Sequence, residues 1–191
     1  MAFLSPDALQ RLGLAACGSD VFISDKASIY NPAKIEIGSR VRVDDFCILA
    51  AGEGGISIGS HVHIAAYSAV IGAGRVTLED FSGVSSRVSI YSSCDDYTGA
   101  AMTNPMVPDE YKAVDHRPVH VGRHAIIGAG TVILPGADVQ EGVAVGALSL
   151  VTGTCQAFGV YSGVPARRIK ERRRDLLKLE REYLGTAERK E

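Results

Sequence analysis

The stretch Val121-Gly122-Arg123-His124-Ala125-Ile126-Ile127-Gly128-Ala129-Gly130-Thr131-Val132-Ile133 decides the architecture, because its aliphatic residues return every six positions. The register continues through Val121, Ile127, Ile133, Val139, Val145 and Val151. Four positions after each stands a small residue or a valine: Ala125, Thr131, Ala137, Val143, Ser149 and Cys155. A period of six is neither the 3.6 of a helix nor the alternation of a two-sided sheet. It fits a triangular coil in which each hexad forms one flat face. The aliphatic residue points inward from the face, and the small residue points inward near a corner with little room. Three faces make a turn of about 18 residues, and stacked turns pair their backbones as parallel strands.

Working outward, the same register holds at Ile58, Ile64 and Val70, then at Leu78, Val84 and Ile90. It is weaker at Ile23 and Ile29, then at Ile37, Val43 and Leu49. Extra residues at Ala50 to Gly55 and at Gly72-Ala73-Gly74-Arg75 fall at turns. The sequence therefore predicts an all-β solenoid of about six turns over residues 21–164. Residues 1–20 form an N-terminal helical segment, with Ser5 as N-cap, Pro6 in the first turn and Gly13 as terminator. Residues 165–191 read as a charged C-terminal helix, its basic run a solvated face rather than a nucleic-acid site. Between Asp95 and Pro118 the repeat halts, and a long loop inside a regular solenoid is usually functional.

Composition agrees. The 191 residues are 46% hydrophobic, with 21 glycines and no tryptophan, as narrow repeated strands and tight turns require. A net charge of −2 gives no reason to expect nucleic acid or an anionic membrane as a partner. Cys17, Cys47, Cys94 and Cys155 form no C-x-x-C pair, so they read as buried small hydrophobes in a reducing compartment, with no metal expected. Leu14-Ala15-Ala16-Cys17 has the look of a lipoprotein cleavage site, but no basic region precedes it, and Asp7, Gln10 and Arg11 interrupt any apolar run. No apolar run is long enough to span a membrane. A cytoplasmic protein is expected.

The ordered series Pro118-Val119, Ile127-Gly128-Ala129-Gly130, Leu134-Pro135-Gly136, Val145-Gly146-Ala147 and Gly163-Val164-Pro165-Ala166-Arg167 resembles the hexapeptide-repeat acyltransferase family over about residues 20–170. Within that family the chain looks most like the sugar O-acetyltransferase branch, the galactoside and maltose acetyltransferases and their polysaccharide-modifying relatives. The resemblance implies a left-handed parallel β-helix and a homotrimer. It also implies acetyl-CoA as co-substrate and a sugar or nucleotide-sugar acceptor, in bacterial surface (lipopolysaccharide-type) polysaccharide synthesis.

The resemblance also marks site residues. The slot of the family's catalytic histidine holds Asp95 here, followed by Asp96. A carboxylate, with an ordinary pKa of about 4, is a weaker base than imidazole at about 6.5. His63 can supply the base instead, meeting Asp95 across a subunit boundary, and His116 in the loop is a further candidate. Alternatively the acceptor is an amine, which needs less help from a base. Ala129 and Ala147 suit close approach of the pantetheine arm. Thr152, Arg167 and Lys170 match positions near the nucleotide phosphates, whereas Gly153 replaces the usual neighbouring lysine. His61, His120 and His124 read as solvated. Two other functions fit the same fold: a γ-class carbonic anhydrase-like metalloenzyme and a non-catalytic scaffold. The first needs a histidine pair five residues apart, which this chain lacks.

Overall fold

A computed structural model of the chain describes residues 2–187. It is a left-handed parallel β-helix with three flat faces. The first face stacks strands Ala16–Cys17, Ile35–Ile37, Ile56–Ile58, Val76–Leu78, Val119–Val121 and Asp138–Val139. The second runs from Val21–Ile23 through Val41–Val43, His63–Ile64, Gly83–Val84, Ile126–Ile127 and Ala144–Val145 to Gly159–Ser162. The third runs from Ser28–Tyr30 through Ile48–Ala51, Ala69–Gly72, Ser89–Tyr91 and Val132–Ile133 to Leu150–Val151. Six full coils and part of a seventh result, slightly more than the six expected, because Ala16–Cys17 already pairs with Glu36 and Ile37. The solenoid thus begins inside the segment assigned to the N-terminal helix, which is confined to α1, Pro6–Arg11. Ser5 caps α1 by accepting the Ala8 N–H, and Gly13 leaves it at φ +72°, as expected.

The inward register is the one the hexads predict. Val121, Ile127, Ile133 and Val139 are fully buried, and Ala125, Thr131, Ala137, Val143, Ser149 and Cys155 are buried beside them. Cys17 departs from the expectation: it lies on the exposed end coil.

Corners are made by residues in the left-handed conformation. Between the first and second faces these are Asp20, Arg40, His61, Phe81, His124, Gly142 and Phe158. Between the second and third they include Phe46, Tyr67, Arg87, Gly130 and Leu148. Most strand N–H groups bond forward to the next coil, as Gly38 does to Ile58, but the left-handed corner residues bond backward. His61 donates to Ser39, Phe81 to Ser60 and His124 to Asp80, each at 2.9–3.1 Å.

The C-terminal segment corrects the sequence reading. Arg167–Glu171 is a strand, antiparallel to Gly159–Ser162, and only Leu176–Ala187 is helical (α2). Residues 188–191 lie outside the described part. A charged segment with good helix propensity is drawn into a strand because it closes the end of the second face, where an open edge would remain. Arg172 then donates to the carbonyls of His124, Gly142 and Val143. α2 lies over the first corner. Glu180 takes His124 at 3.0 Å and also pairs with Arg123, while Tyr183 meets the His61–Phe81 stack edge-on and its hydroxyl accepts from Arg40.

His61 and His124 are therefore not solvated positions. His120 is not free either: its ring lies between Asp138 at 2.7 Å and Glu79 at 3.1 Å, joining coils four to six. Burial works against its protonation, but the hydrogen bonds to Asp138 and Glu79 outweigh it and raise its pKa. A raised pKa contributes stability that is complete below the unfolded value of about 6.5 and is lost as pH rises through the folded value. His120→Gln should therefore lower the denaturation midpoint more at pH 6 than at pH 9. Ile64→Ala, at a fully buried site, should cost roughly 2–5 kcal/mol by chemical denaturation at either pH.

Candidate active site

The loop after the fourth coil grows from the corner between the third and first faces. Coils there are already enlarged by the insertions at residues 50–55 and 72–75, which stack through Gly52 N–H to Gly72 and Gly54 N–H to Ala73. Gly72 and Gly74 are needed because a Cβ at either would strike the loop roots, at Ser92 Oγ (2.3 Å) and the Arg117 carbonyl (2.6 Å). Ser92 donates to the Gly74 carbonyl at 2.7 Å, and Arg117 N–H to Ser92 at 3.1 Å. Above these roots Ser93–Cys94 and Asp115–His116 form an antiparallel ribbon, so the neck of the loop is structured rather than irregular.

The ribbon sorts the loop candidates. Asp96 accepts the N–H groups of Thr98 and Ala101 at 2.8 and 2.9 Å, which lowers its pKa to about 2. Both its oxygens close the loop, and so strong an acid is a poor base. His116 has Nδ1 2.8 Å from the Ser93 hydroxyl, which itself accepts the Ala73 N–H. Asp95 leaves the ribbon exposed, with no side-chain partner among the described residues.

His63 stands apart from the loop, on the outward side of the second face. Its Nε2 lies 2.9 Å from Oδ2 of Asp44, one coil earlier. Asp44 is buried (6% exposed) and also accepts from Arg42 at 2.7 Å. Burial alone would raise the Asp44 pKa, but its bonds with His63 and Arg42 hold it below the usual carboxylate range. Above His63 the next coil contributes Gly83, and a cavity of about 300 Å³ opens there, lined by His63, Ser85, Ser86 and Ile126 among others. Within one chain His63 and Asp95 sit on different sides of the prism, and the aspartate at His63 is Asp44. Neither Asp44 nor Ser85 was picked out from sequence, because spacing along the chain does not show which residues face each other across coils.

Toward the C-terminal end, Ala129 and Ala147 stack one coil apart on the corner between the second and third faces. Both are exposed, and among the described residues neither donates its N–H to another backbone group, although the Ala129 carbonyl accepts from Leu148. The turn at 163–166 lies over Leu150 and brings Arg167 against Thr152 and Gly153 around a small cavity of about 100 Å³. Lys170 is not part of that lining; it pairs opposite Val160 on the second face. Among the described residues no cluster of three or more His, Cys, Asp or Glu could hold a metal ion. No helix among them is long and apolar enough to cross a membrane.

No family model matches the sequence. Similarity to individual proteins is extensive. The dTDP-4-amino-4,6-dideoxy-D-glucose acyltransferase of Escherichia coli is 49% identical over 187 residues, 98% of this chain and 97% of that protein. The chain belongs to the hexapeptide-repeat acyltransferase family. It is an acyl-CoA-dependent acyltransferase. A serine-to-alanine variant of AntD, an N-acyltransferase from Bacillus cereus, has been solved with dTDP-4-amino-4,6-dideoxyglucose and coenzyme A. It superposes at TM-score 0.92 with 43% identity, covering 97% of this chain and 98% of AntD. WbbJ of Escherichia coli K12, which bears the name of a lipopolysaccharide-biosynthesis O-acetyl transferase, is 31% identical over 121 residues, 61% of this chain and 57% of its own.

For this acyltransferase the loop fastening carries a direct expectation. Asp96→Ala should speed proteolytic cleavage within 95–118 while leaving the thermal midpoint of the solenoid within a degree or two. In the unaltered protein the fastening persists down to acid pH, because a depressed carboxyl pKa loses its contribution only as pH falls through about 2.

Proposed function

We propose that the protein transfers an acetyl group from acetyl-CoA to the 4-amine of a dTDP-linked 4-amino-4,6-dideoxyhexose. The observation that carries this is the full-length similarity to the E. coli acyltransferase of that sugar. The AntD complexes, with coenzyme A and the dTDP-amino sugar, support the same pair of substrates. Nitrogen rather than oxygen is then the acceptor, and the reaction belongs in the cytoplasm, making a building block for a surface polysaccharide.

We place the site between neighbouring subunits of a homotrimer. His63 lies on one side of the prism and Asp95 at the root of the loop on another, so a neighbouring copy is needed to bring them together. Solved AntD variants alter one serine and one aspartate ten residues apart, the spacing of Ser85 and Asp95 here. In this arrangement the exposed Asp95 carboxylate holds the acceptor's amine, and His63 takes the proton it loses. The amine nitrogen attacks the thioester carbonyl carbon; the C–N bond forms, the C–S bond breaks, and coenzyme A leaves as the thiol after receiving that proton. The free N–H groups of Ala129 and Ala147 are suited to pantetheine and thioester oxygens. Thr152 and Arg167 serve the nucleotide end, whereas Lys170, opposite Val160 on the second face, stands outside that cavity.

The test pairs substrate choice with subunit mixing. Acetyl-CoA turnover should appear with the dTDP-4-amino sugar and not with the 4-hydroxy analogue. His63→Ala and Asp95→Asn should each lower kcat by ~100-fold or more, in the range of general acid–base contributions. Refolding the two inactive variants together should restore part of the activity, since some mixed sites then carry both native residues. Equal turnover of the hydroxy sugar would overturn the amine reading. Failure of mixing to restore activity would overturn the shared site.

A further inference from the structure

The outward column of the second face reads Phe22, Arg42, His63, Gly83, Ile126, Ala144 and Val160, one residue per coil. Gly83 interrupts it. A Cβ placed there meets nothing within 4 Å, and its φ is not in the left-handed region, so the backbone does not require glycine. The missing side chain leaves the cavity that His63 borders from below and Ile126 from above. His63 does not lean into this space unsupported, because its Nε2 is taken by Asp44 in the preceding coil at 2.9 Å.

Asp44 is a charged residue at a buried position, held in place by Arg42 as well. An ionised carboxylate only accepts hydrogen bonds, so the nitrogen facing it must carry a proton. In the neutral ring the lone pair is then on Nδ1. An imidazole fixed in one tautomer by a buried carboxylate, which also stabilises the imidazolium once formed, is the working arrangement of a general base with its orienting group.

We propose that Asp44 is a positioning residue for His63: it fixes the ring as the Nε2–H tautomer, with Nδ1 as the proton acceptor serving the cavity above Gly83. This rests on the reading of His63 as base. It adds which nitrogen acts, what fixes it, and where the nitrogen–carbon bond forms. Gly83 keeps that space free for the acyl group and the amine.

Asp44 and its effect through His63 are tested in two ways that do not share a failure. Long-range 1H–15N correlation spectra of the full protein report the His63 tautomer without any turnover. The native protein should show protonated Nε2 and unprotonated Nδ1, and Asp44→Asn should give a mixture or the other form. In the assay, Asp44→Asn should lower kcat by ~10–100-fold with the KM for acetyl-CoA within twofold. In a His63→Ala background the same change should cost nothing more, since Asp44 acts only through that ring. Gly83→Val is the second variant. It should keep the native thermal midpoint and lose turnover by filling the cavity. An Asp44→Asn loss of equal size with and without His63, or an unchanged His63 tautomer in Asp44→Asn, would overturn the positioning role. Full turnover in Gly83→Val would remove the cavity from the reaction. If His63→Ala alone were fully active, the base assignment would fall, and the spectra would still decide whether Asp44 fixes the ring.

Discussion

The left-handed residue at each corner is the constraint from which the rest of this molecule follows. A chain that must turn sharply every six residues cannot keep extended dihedrals. At most corners it enters a conformation that costs a non-glycine residue about 1–2 kcal/mol. Only some of these positions are glycine; Phe46, His61, Tyr67, Phe81, Arg87, His124 and Leu148 are not. What offsets the cost is visible at His61, Tyr67, Phe81, Arg87, His124 and Leu148. The corner N–H turns back to the preceding coil while the strand N–H groups reach forward, so successive coils are fastened in both directions.

Corner side chains are thrown outward and stack along the axis. Two columns result. His61, Phe81 and His124 stack at 4.4 and 5.0 Å between the first two faces, and α2 covers them. Lys26, Phe46, Tyr67 and Arg87 form a ladder of stacked rings capped by cations between the second and third faces. The same geometry thus serves as a helix dock on one corner and an exposed strip on another. Which it becomes depends on the partners: the first column offers His124, Arg123 and Arg40 to Glu180 and Tyr183 of α2.

The solenoid was legible because its period is short and written in neighbouring residues; every aliphatic position of the clear hexads is buried. The extra partial coil and the strand Arg167–Glu171 were less so, because pairing with another strand, Ile35–Ile37 for Ala16–Cys17 and the adjacent Gly159–Ser162 for Arg167–Glu171, overrides local propensity there. At the site, Asp95, Ala129, Ala147, Thr152 and Arg167 were marked by the resemblance to the acyltransferase family and not by the repeat itself. Asp44 was not, since its partner lies 19 residues away across a coil whose length the insertions alter. Asp96 read as a second carboxylate for chemistry, but it is consumed by two backbone amides that only the folded loop supplies.

The position of α2 limits where chemistry can happen. A flat-walled prism has no cleft of its own, and its corners differ only in what is attached to them. The corner between first and second faces is occupied by α2 and its ion pairs, with Arg172 filling the carbonyls beneath. The corner between third and first faces carries the loop, raised on stacked glycine turns and ending its ribbon at Asp95. The corner between second and third carries Ala129 and Ala147, with the His63–Gly83 cavity beside it. The two corners left open carry the loop root with Asp95, and a small-residue groove with His63 at its side. One prism cannot close its own corners on each other; a neighbouring prism set against it can. On the shared-site reading proposed above, the C-terminal helix reserves one corner and leaves the other two to face a neighbouring copy.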